Sequence, residues 1–277
     1  MPSNTPRESK AQQRDASRQK ALEMRAVQEK KARRSRIIAI SGLVAAVAVL
    51  VVVVAMILGQ AKPAPTALDP KTPLKGVTAP ADALATGGIP VGTDGSAGAT
   101  SPAPAGATTV AVYYDYMCPF CANFEKANAA TLDKMASAGE IAVAYHPISI
   151  LDRLSSGTQY STRSAQAIAY VADADPAHFL AFHEALFANQ PAENTAGPTD
   201  AEIAAIAVKA GVPQAVADKI AADGGKFTTW VAATTAQAQL DGVSGTPTVL
   251  INGTKTADSV DLYTAGPLEA AIRAAKG

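Results

Sequence analysis

DYMCPFC, Asp115 to Cys121, holds the only two cysteines of a 277-residue chain, three positions apart. Such a pair can hold a metal, staple a fold or be oxidised and reduced in turn, and the surrounding sequence separates these roles. Zinc takes four ligands, of which two cysteines supply half. The histidines are His146, His178 and His183. Five residues apart on one helix, His178 and His183 point about 140° away from each other and do not chelate. Both are placed on or near the surface of a helix over Pro176 to Asn189. A structural staple is poorly served by so short a loop, because closing it removes little entropy from the unfolded chain.

Redox exchange suits the spacing. The strand-like run TTVAVYYDY, Thr108 to Tyr116, is rich in β-branched and aromatic residues. Ala122 to Ala138 follows as a helix, with Phe124, Ala127, Leu132 and Met135 near helical spacing. At a strand-to-helix junction the first thiol faces solvent, and the second, almost one turn on, points into the domain. Unpaired N–H groups and the helix dipole favour a negative sulfur there. Cys118 is then the nucleophile and Cys121 the resolving partner, while Pro119 suits a first helical position.

Outward from the motif, Ile89 to Val91 is a short edge strand and IAVAYHPISI from Ile141 a second main strand. Helical segments follow at 163–172, 176–189, 199–210, 213–222 and 226–240. Thr199 with Glu202 forms a capping box, and Asp175 precedes Pro176 as a start signal. Strand character returns at TVLING, Thr248 to Gly253, whose Asn-Gly pair predicts a hairpin with a return strand near Thr256 to Val260. Pro267 opens a last helix. The order describes an α/β domain with an all-helical block inserted at about 155–240. No internal repeat is present.

Residues 1–36 contain eleven Lys or Arg against four Asp or Glu, although the whole chain has zero formal charge. Ile37 to Leu58 carries no charge and no proline. At 1.5 Å per residue it reaches roughly 33 Å, enough to cross a bilayer. A cleaved signal peptide is the rival, with a shorter apolar core and a shorter leader. The basic cluster before the span keeps the amino terminus cytoplasmic and sends the rest across the plasma membrane in a single pass. It is read as a topology signal rather than a nucleic-acid site, since no aromatic residues are interleaved to stack on bases. From Gly59 to Thr86 the chain is rich in Ala, Pro, Thr and Gly and predicts a flexible, disordered linker, with the folded domain over 87–277.

GVSGTPTVLING, Gly242 to Gly253, lies about 120 residues after the cysteines. With DYMCPFCANFE and the intervening helical block, this chain resembles the DsbA-like disulfide oxidoreductases of the thioredoxin superfamily. The resemblance covers roughly 87–277 and implies a thioredoxin-like fold divided by the helical insertion. It implies a cis Pro247 against the cysteine pair, with the backbone of Thr246 offered to an extended peptide. Glu125 matches a Phe-Glu pair of the family and either relays a proton from the buried thiol or is solvated on an exposed helix face. Asp115, Tyr116 and Met117 shape the rim of the site, and Pro119, Phe120, Met117 and Thr246 meet the substrate. Phe120 departs from the His found there in strong oxidants, and is read as apolar surface for unfolded polypeptide.

The implied activity is disulfide formation in exported, reduced proteins, the Cys118–Cys121 disulfide itself carrying the electrons with no bound cofactor. A quinone-linked membrane oxidase of the DsbB or vitamin K epoxide reductase type would reoxidise it. A reductase or isomerase using the same residues, and a redox-sensitive chaperone without turnover, remain as alternatives.

Overall fold

The computed structural model describes residues 68–98, 102–222 and 225–276. The basic segment and the apolar span expected at 37–58 lie outside them. Among the described residues no helix is long and apolar enough to cross a membrane.

Five strands form one mixed sheet in the order β1-β3-β2-β4-β5. They are β1 (Ile89–Val91), β2 (Thr108–Tyr114), β3 (Ile141–Pro147), β4 (Thr248–Ile251) and β5 (Thr254–Lys255). Central β2 pairs parallel with β3 and antiparallel with β4. Val110 sits in register with Val143 on one side and Ile251 on the other, so this row of the sheet is filled by β-branched side chains. Parallel pairing of β2 and β3 requires a crossover, which α1 (Pro119–Ser137) supplies. Its buried residues Cys121, Phe124, Glu125, Asn128, Leu132 and Met135 recur at helical spacing and form a single stripe against the sheet.

The other sheet face carries a smaller cluster, in which Tyr113 and Ile148 pack with Val243 and with Ala238 of α6 (Thr228–Leu240). His146 belongs to this face: it stacks on Tyr113 at 4.2 Å between ring centroids, and burial pushes its imidazole down to about 4. A side chain on Gly88 would come within 2.4 Å of the His146 ring, so only glycine permits that approach.

The helical block comprises α2 (Tyr160–Ala174), α3 (Phe179–Ala188), α4 (Asp200–Lys209), α5 (Gln214–Ala222) and α6. Nearly every face of α2 is buried, as befits the central helix of a bundle. The Thr199–Glu202 capping box forms reciprocally at the start of α4. Helix α7 (Pro267–Ala274) closes the chain with Leu268 and Ile272 in the core.

Helix α1 begins at Pro119, the first helical position expected of that proline and three residues before the regular stretch read from Ala122, with Cys118 as its N-cap. Two boundaries differ from expectation. The return strand is two residues long and starts immediately after the turn, Ile251 facing Thr254. Asn252 and Gly253 both adopt positive φ, 48° and 76°, a two-residue turn that leaves no room for delayed pairing. The chain from Leu68 is turn-rich and packed: Leu74, Val77 and Ala83 lie on the core, and Ala81 N–H donates to Asp173 at 2.9 Å. Packed chain therefore precedes the boundary expected at 87, because these few apolar side chains find a place against the core.

Candidate active site

The sequence places both sulfurs at the first turn of α1, where four backbone N–H groups lack intrahelical partners. Cys118 caps the helix without a side-chain hydrogen bond, and the first turn contains no acidic residue. The positive end of the dipole is therefore left to the sulfur. The structure holds the pair as free thiols. A hydrogen bond from the Cys121 thiol lowers Cys118 to about 6 against the opposing effect of burial, with help from Thr246 and the N–H groups of Cys121 and Phe120. Burial, followed by Cys118 itself, pushes Cys121 well above its ordinary value. One sulfur is thus an anion near neutrality while its partner keeps its proton.

From the far end of the sequence, the loop before β4 closes over this pair. The Thr246–Pro247 peptide bond is cis, and Cys118 Sγ, in its protonated form, donates to the Thr246 carbonyl at 3.3 Å. That contact explains why Cys118 is only 4% exposed, in place of the solvent-facing thiol expected from its helix position. Phe120 is 57% exposed, and Pro119 beside it also faces water.

Met117, Tyr116 and Asp115 were expected at the rim, and all are buried. The reason is the turn at Asp115, whose carboxylate accepts the Met117 N–H and the Leu151 N–H, each at 2.9 Å, and so folds the segment inward. Burial lifts that carboxyl to about 7. Met117 therefore contributes to the floor under the sulfurs and touches no surface that a substrate reaches.

Glu125 lies one helical turn beyond Cys121 on the same face, where Cβ atoms are about 5–6 Å apart. It is 7% exposed, so the solvated reading of this side chain does not hold. His183, expected near the surface, is buried at 1%. It belongs to the apolar stripe Phe179, Phe182, His183, Leu186 and Phe187 of α3, a periodicity that places it inward. Its Nε2 stands 3.2 Å from Glu125 Oε2, and its Nδ1 is 2.9 Å from the Tyr116 hydroxyl.

Two further residues were not singled out from the sequence. Gln190, after α3, donates from Nε2 to the carbonyls of Tyr116 and Cys118, both at 2.9 Å, and so clamps the backbone of the motif to the helical block. Tyr263 is half-exposed and stands 5.9 Å from Phe120 between ring centroids. Asn128 of α1 holds its loop by donating to the Leu262 carbonyl at 2.8 Å. Tyr263, Thr246 and Pro247 line a cleft of about 540 Å³ that opens beside Cys118. No local motif marks either residue; each lies in its place only through tertiary contact.

Among the described residues no group of three or more His, Cys, Asp or Glu is placed to hold a metal. What the arrangement can do is attack or accept a sulfur: a readily ionised thiol at the helix start beneath Thr246, a protonated partner within one turn, and a cleft lined by Thr246, Pro247 and Tyr263.

The comparisons with known proteins agree with this chemistry. The family model described as thioredoxin matches residues 101–266, more than half of the chain. The serine/threonine-protein kinase PknE of Mycobacterium tuberculosis is 35% identical over 148 residues, 51% of this chain and 26% of the kinase. The chain spans about a quarter of the length of the curated relatives it matches. The reduced form of a disulfide bond oxidoreductase (DsbG) from Mycobacterium tuberculosis is 35% identical with a TM-score of 0.52, covering 61% of this chain and 78% of that one. Oxidised DsbA of Mycobacterium tuberculosis is 33% identical with a TM-score of 0.54, covering 69% and 93%.

Proposed function

The chain belongs to the thioredoxin family and has the structure of a DsbA-like thiol-disulfide oxidoreductase; from that premise we propose that it introduces disulfides into exported proteins from the outer side of the plasma membrane. Residues 37–58 anchor it, the basic segment 1–36 stays cytoplasmic, and the stretch from Gly59 tethers the domain. The observation that carries the reading is the placement of Cys118 as N-cap of a helix with no acidic residue in its first turn, one turn from Cys121 and against the Thr246 carbonyl, where the Cys121 thiol holds its pKa down.

The reaction follows from the two unlike sulfurs. In the oxidised enzyme a substrate thiolate attacks Cys118 Sγ, the Cys118–Cys121 bond breaks, and its electron pair goes to Cys121, which is then protonated. The substrate is now joined to Cys118 in a mixed disulfide. Its own second thiolate attacks the substrate sulfur of that bond, forming the product disulfide and releasing Cys118 as the stabilised thiolate. A leaving thiol of low pKa departs faster, so the lowered Cys118 favours donation. Thr246 meets the extended substrate backbone while Phe120 and Pro119 meet its side chains. Reoxidation falls to a quinone-linked membrane oxidase of DsbB or vitamin K epoxide reductase type.

The test is the redox equilibrium of the full chain in glutathione buffers, read by thiol labelling. Disulfide exchange proteins span about −270 mV for a reductant to about −120 mV for a strong oxidant. A value in the oxidising half is expected. One near the reducing end would assign the same residues to a reductase supplied with electrons from across the membrane.

A further inference from the structure

Exchange at Cys118 makes and breaks bonds at its sulfur, while the backbone that carries the sulfur has to stay in place. That backbone is the turn Tyr116 to Cys118, whose three residues are all buried. Its carbonyls need partners there. The Cys118 carbonyl accepts the Cys121 and Ala122 N–H groups at 3.0 and 3.4 Å, the first bonds of α1. A further partner comes from the helical block. Gln190 Nε2 donates to the Tyr116 and Cys118 carbonyls, each at 2.9 Å, from 74 and 72 residues along the chain. Carbonyl oxygens only accept, so the amide presents its nitrogen and not its oxygen to this pair.

Gln190 is itself held. Its backbone N–H donates to the Phe187 carbonyl at 3.2 Å, which fixes it to the end of α3. The loop beyond it is fastened to the chain from Leu154 to Arg163. Asn194 N–H donates to the Leu154 carbonyl at 2.6 Å, the Ser156 hydroxyl to the Asn194 carbonyl at 3.0 Å, and Arg163 to the Pro198 carbonyl at 2.8 Å. The grip on the motif is therefore a fixed point of the block. Cys118 is then held at two atoms that respond differently to exchange. The Thr246 carbonyl meets Sγ, and that bond needs the thiol proton, which a disulfide lacks. The Gln190 bond goes to a main-chain oxygen and does not depend on the state of the sulfur. It holds the carbonyl of an extended N-cap, φ −79° and ψ 113°, from which Sγ meets the Phe120 and Cys121 N–H groups. It also brings the positive end of an amide to the residue whose sulfur carries the charge.

Resting on the thiol-disulfide reading of the site, we infer that Gln190 is a positioning residue for the exchange: through its amide the helical block holds the Cys118 backbone in the geometry that makes the sulfur reactive, in dithiol, disulfide and mixed disulfide alike. The inserted block thereby takes part in the chemistry through one side chain. Without the amide donor the turn from Tyr116 to Cys118 loses its anchor, the sulfur leaves the helix N–H groups, and less thiolate is present at a given pH. Two quantities then move together. Alkylation of Cys118 shifts to higher pH, and the enzyme disulfide becomes harder to reduce, because a stabilised thiolate favours the reduced form.

The experiment compares the full chain with Gln190→Met, which keeps the length and removes the donors, and with Gln190→Glu, which keeps the shape but accepts only when ionised. Cys118 alkylation by iodoacetamide is followed from pH 4 to 9, and the equilibrium with glutathione is read at pH 7. For Gln190→Met the alkylation midpoint is expected about half a unit to one unit higher. The rate well below it should fall roughly two- to fourfold, since the more basic sulfur is the better nucleophile and offsets part of the lost thiolate. Over that same shift the equilibrium constant for oxidation of glutathione should fall about three- to fivefold. Gln190→Glu should move both further, its carboxylate lying against two carbonyls. A wild-type midpoint and equilibrium constant in either variant, whatever happens to thermal stability, would overturn the inference and leave Gln190 a fastener of the fold. Should neither variant fold, the unsubstituted chain carries the test. The NMR resonance of its Gln190 side-chain nitrogen should titrate with Cys118, and one that stays still throughout would overturn the inference as well. A wild-type chain whose Cys118 neither exchanges with glutathione nor is alkylated below pH 8 would instead overturn the thiol-disulfide reading itself.

Discussion

The two sides of the cysteine pair are built from opposite materials. Outside Cys118 stand Phe120 and Tyr263, both half-exposed or more, beside a cleft made by the segment from Ser244 to Tyr263. Inside Cys121 lie Glu125, His183 and a cage of buried rings drawn from β2, β3 and α3. Three residues of sequence thus span the whole distance from substrate surface to core. The difference teaches that each sulfur's behaviour follows from its place: Cys118 takes the hydrogen bond of the Cys121 thiol and the N–H groups at the start of the helix, whereas Cys121, less than one turn on, is held up by burial and then by Cys118.

The most severe way to break that comparison is to remove one sulfur at a time. Cys118→Ser should abolish exchange altogether, because the buried Cys121 neither ionises near neutrality nor reaches a substrate. Cys121→Ser should still react once and then accumulate as a mixed disulfide, visible by mass spectrometry as an adduct on Cys118. Turnover surviving in Cys118→Ser would show that the inner sulfur is accessible and erase the distinction.

The outer side was the more legible in sequence, and for a physical reason. A cysteine pair at a strand-to-helix junction carries local constraints on backbone and charge that a linear reading finds, and the family resemblance supplied Thr246 and Pro247. The inner side is assembled from residues that carry no such mark. His183 was misplaced because the pair His178 and His183 was weighed only as metal ligands; the Phe179, Phe182, Leu186, Phe187 stripe around it was the signal that it faces inward. Tyr263 and Gln190 owe their places to Asn128 and to the end of α3, contacts across 134 and 72 residues that no local pattern encodes. The short return strand was missed although Asn252-Gly253 was recognised, since a two-residue turn of this kind commits the very next residue to pairing.

A second comparison separates the sulfurs by pH. The folded pKa of Cys118 is depressed to about 6 from 9.0, so its contribution to the stability of the reduced chain is full above about 9 and is lost as pH falls through 6. Cys121 is shifted upward and works in the opposite sense, but only above 9, where its unfolded counterpart ionises and the buried thiol does not. Between pH 6 and 9 the effect therefore belongs to Cys118 alone. Denaturant midpoints of the reduced chain, measured against Cys118→Ser to cancel Asp115 and His146, should rise steadily across that window. Parallel curves for the two proteins would mean that the outer sulfur is not an anion near neutrality. Absorbance of the thiolate near 240 nm should show a single step centred near 6 over the same range.

The smallest effect expected lies furthest out, at Tyr263. Its ring meets Phe120 across the mouth of the cleft, and neither ring touches the reacting electrons. An aromatic contact of this kind is worth about 0.5–1.5 kcal/mol, so Tyr263→Ala should lower exchange with an unfolded, cysteine-containing polypeptide by roughly two- to tenfold. Exchange with glutathione, too small to reach across both rings, should stay within about twofold on the same scale. The double variant with Phe120→Ala should lose less than the product of the two single losses, because each ring already forfeits the other's contact when one is removed. If Tyr263→Ala slowed glutathione and polypeptide alike, the residue would be acting on the sulfurs rather than on the substrate. The outer surface would then be a part of the chemistry and not only its docking face, and the division between a recognising outer side and a buried inner side would have to be redrawn around Cys118 itself.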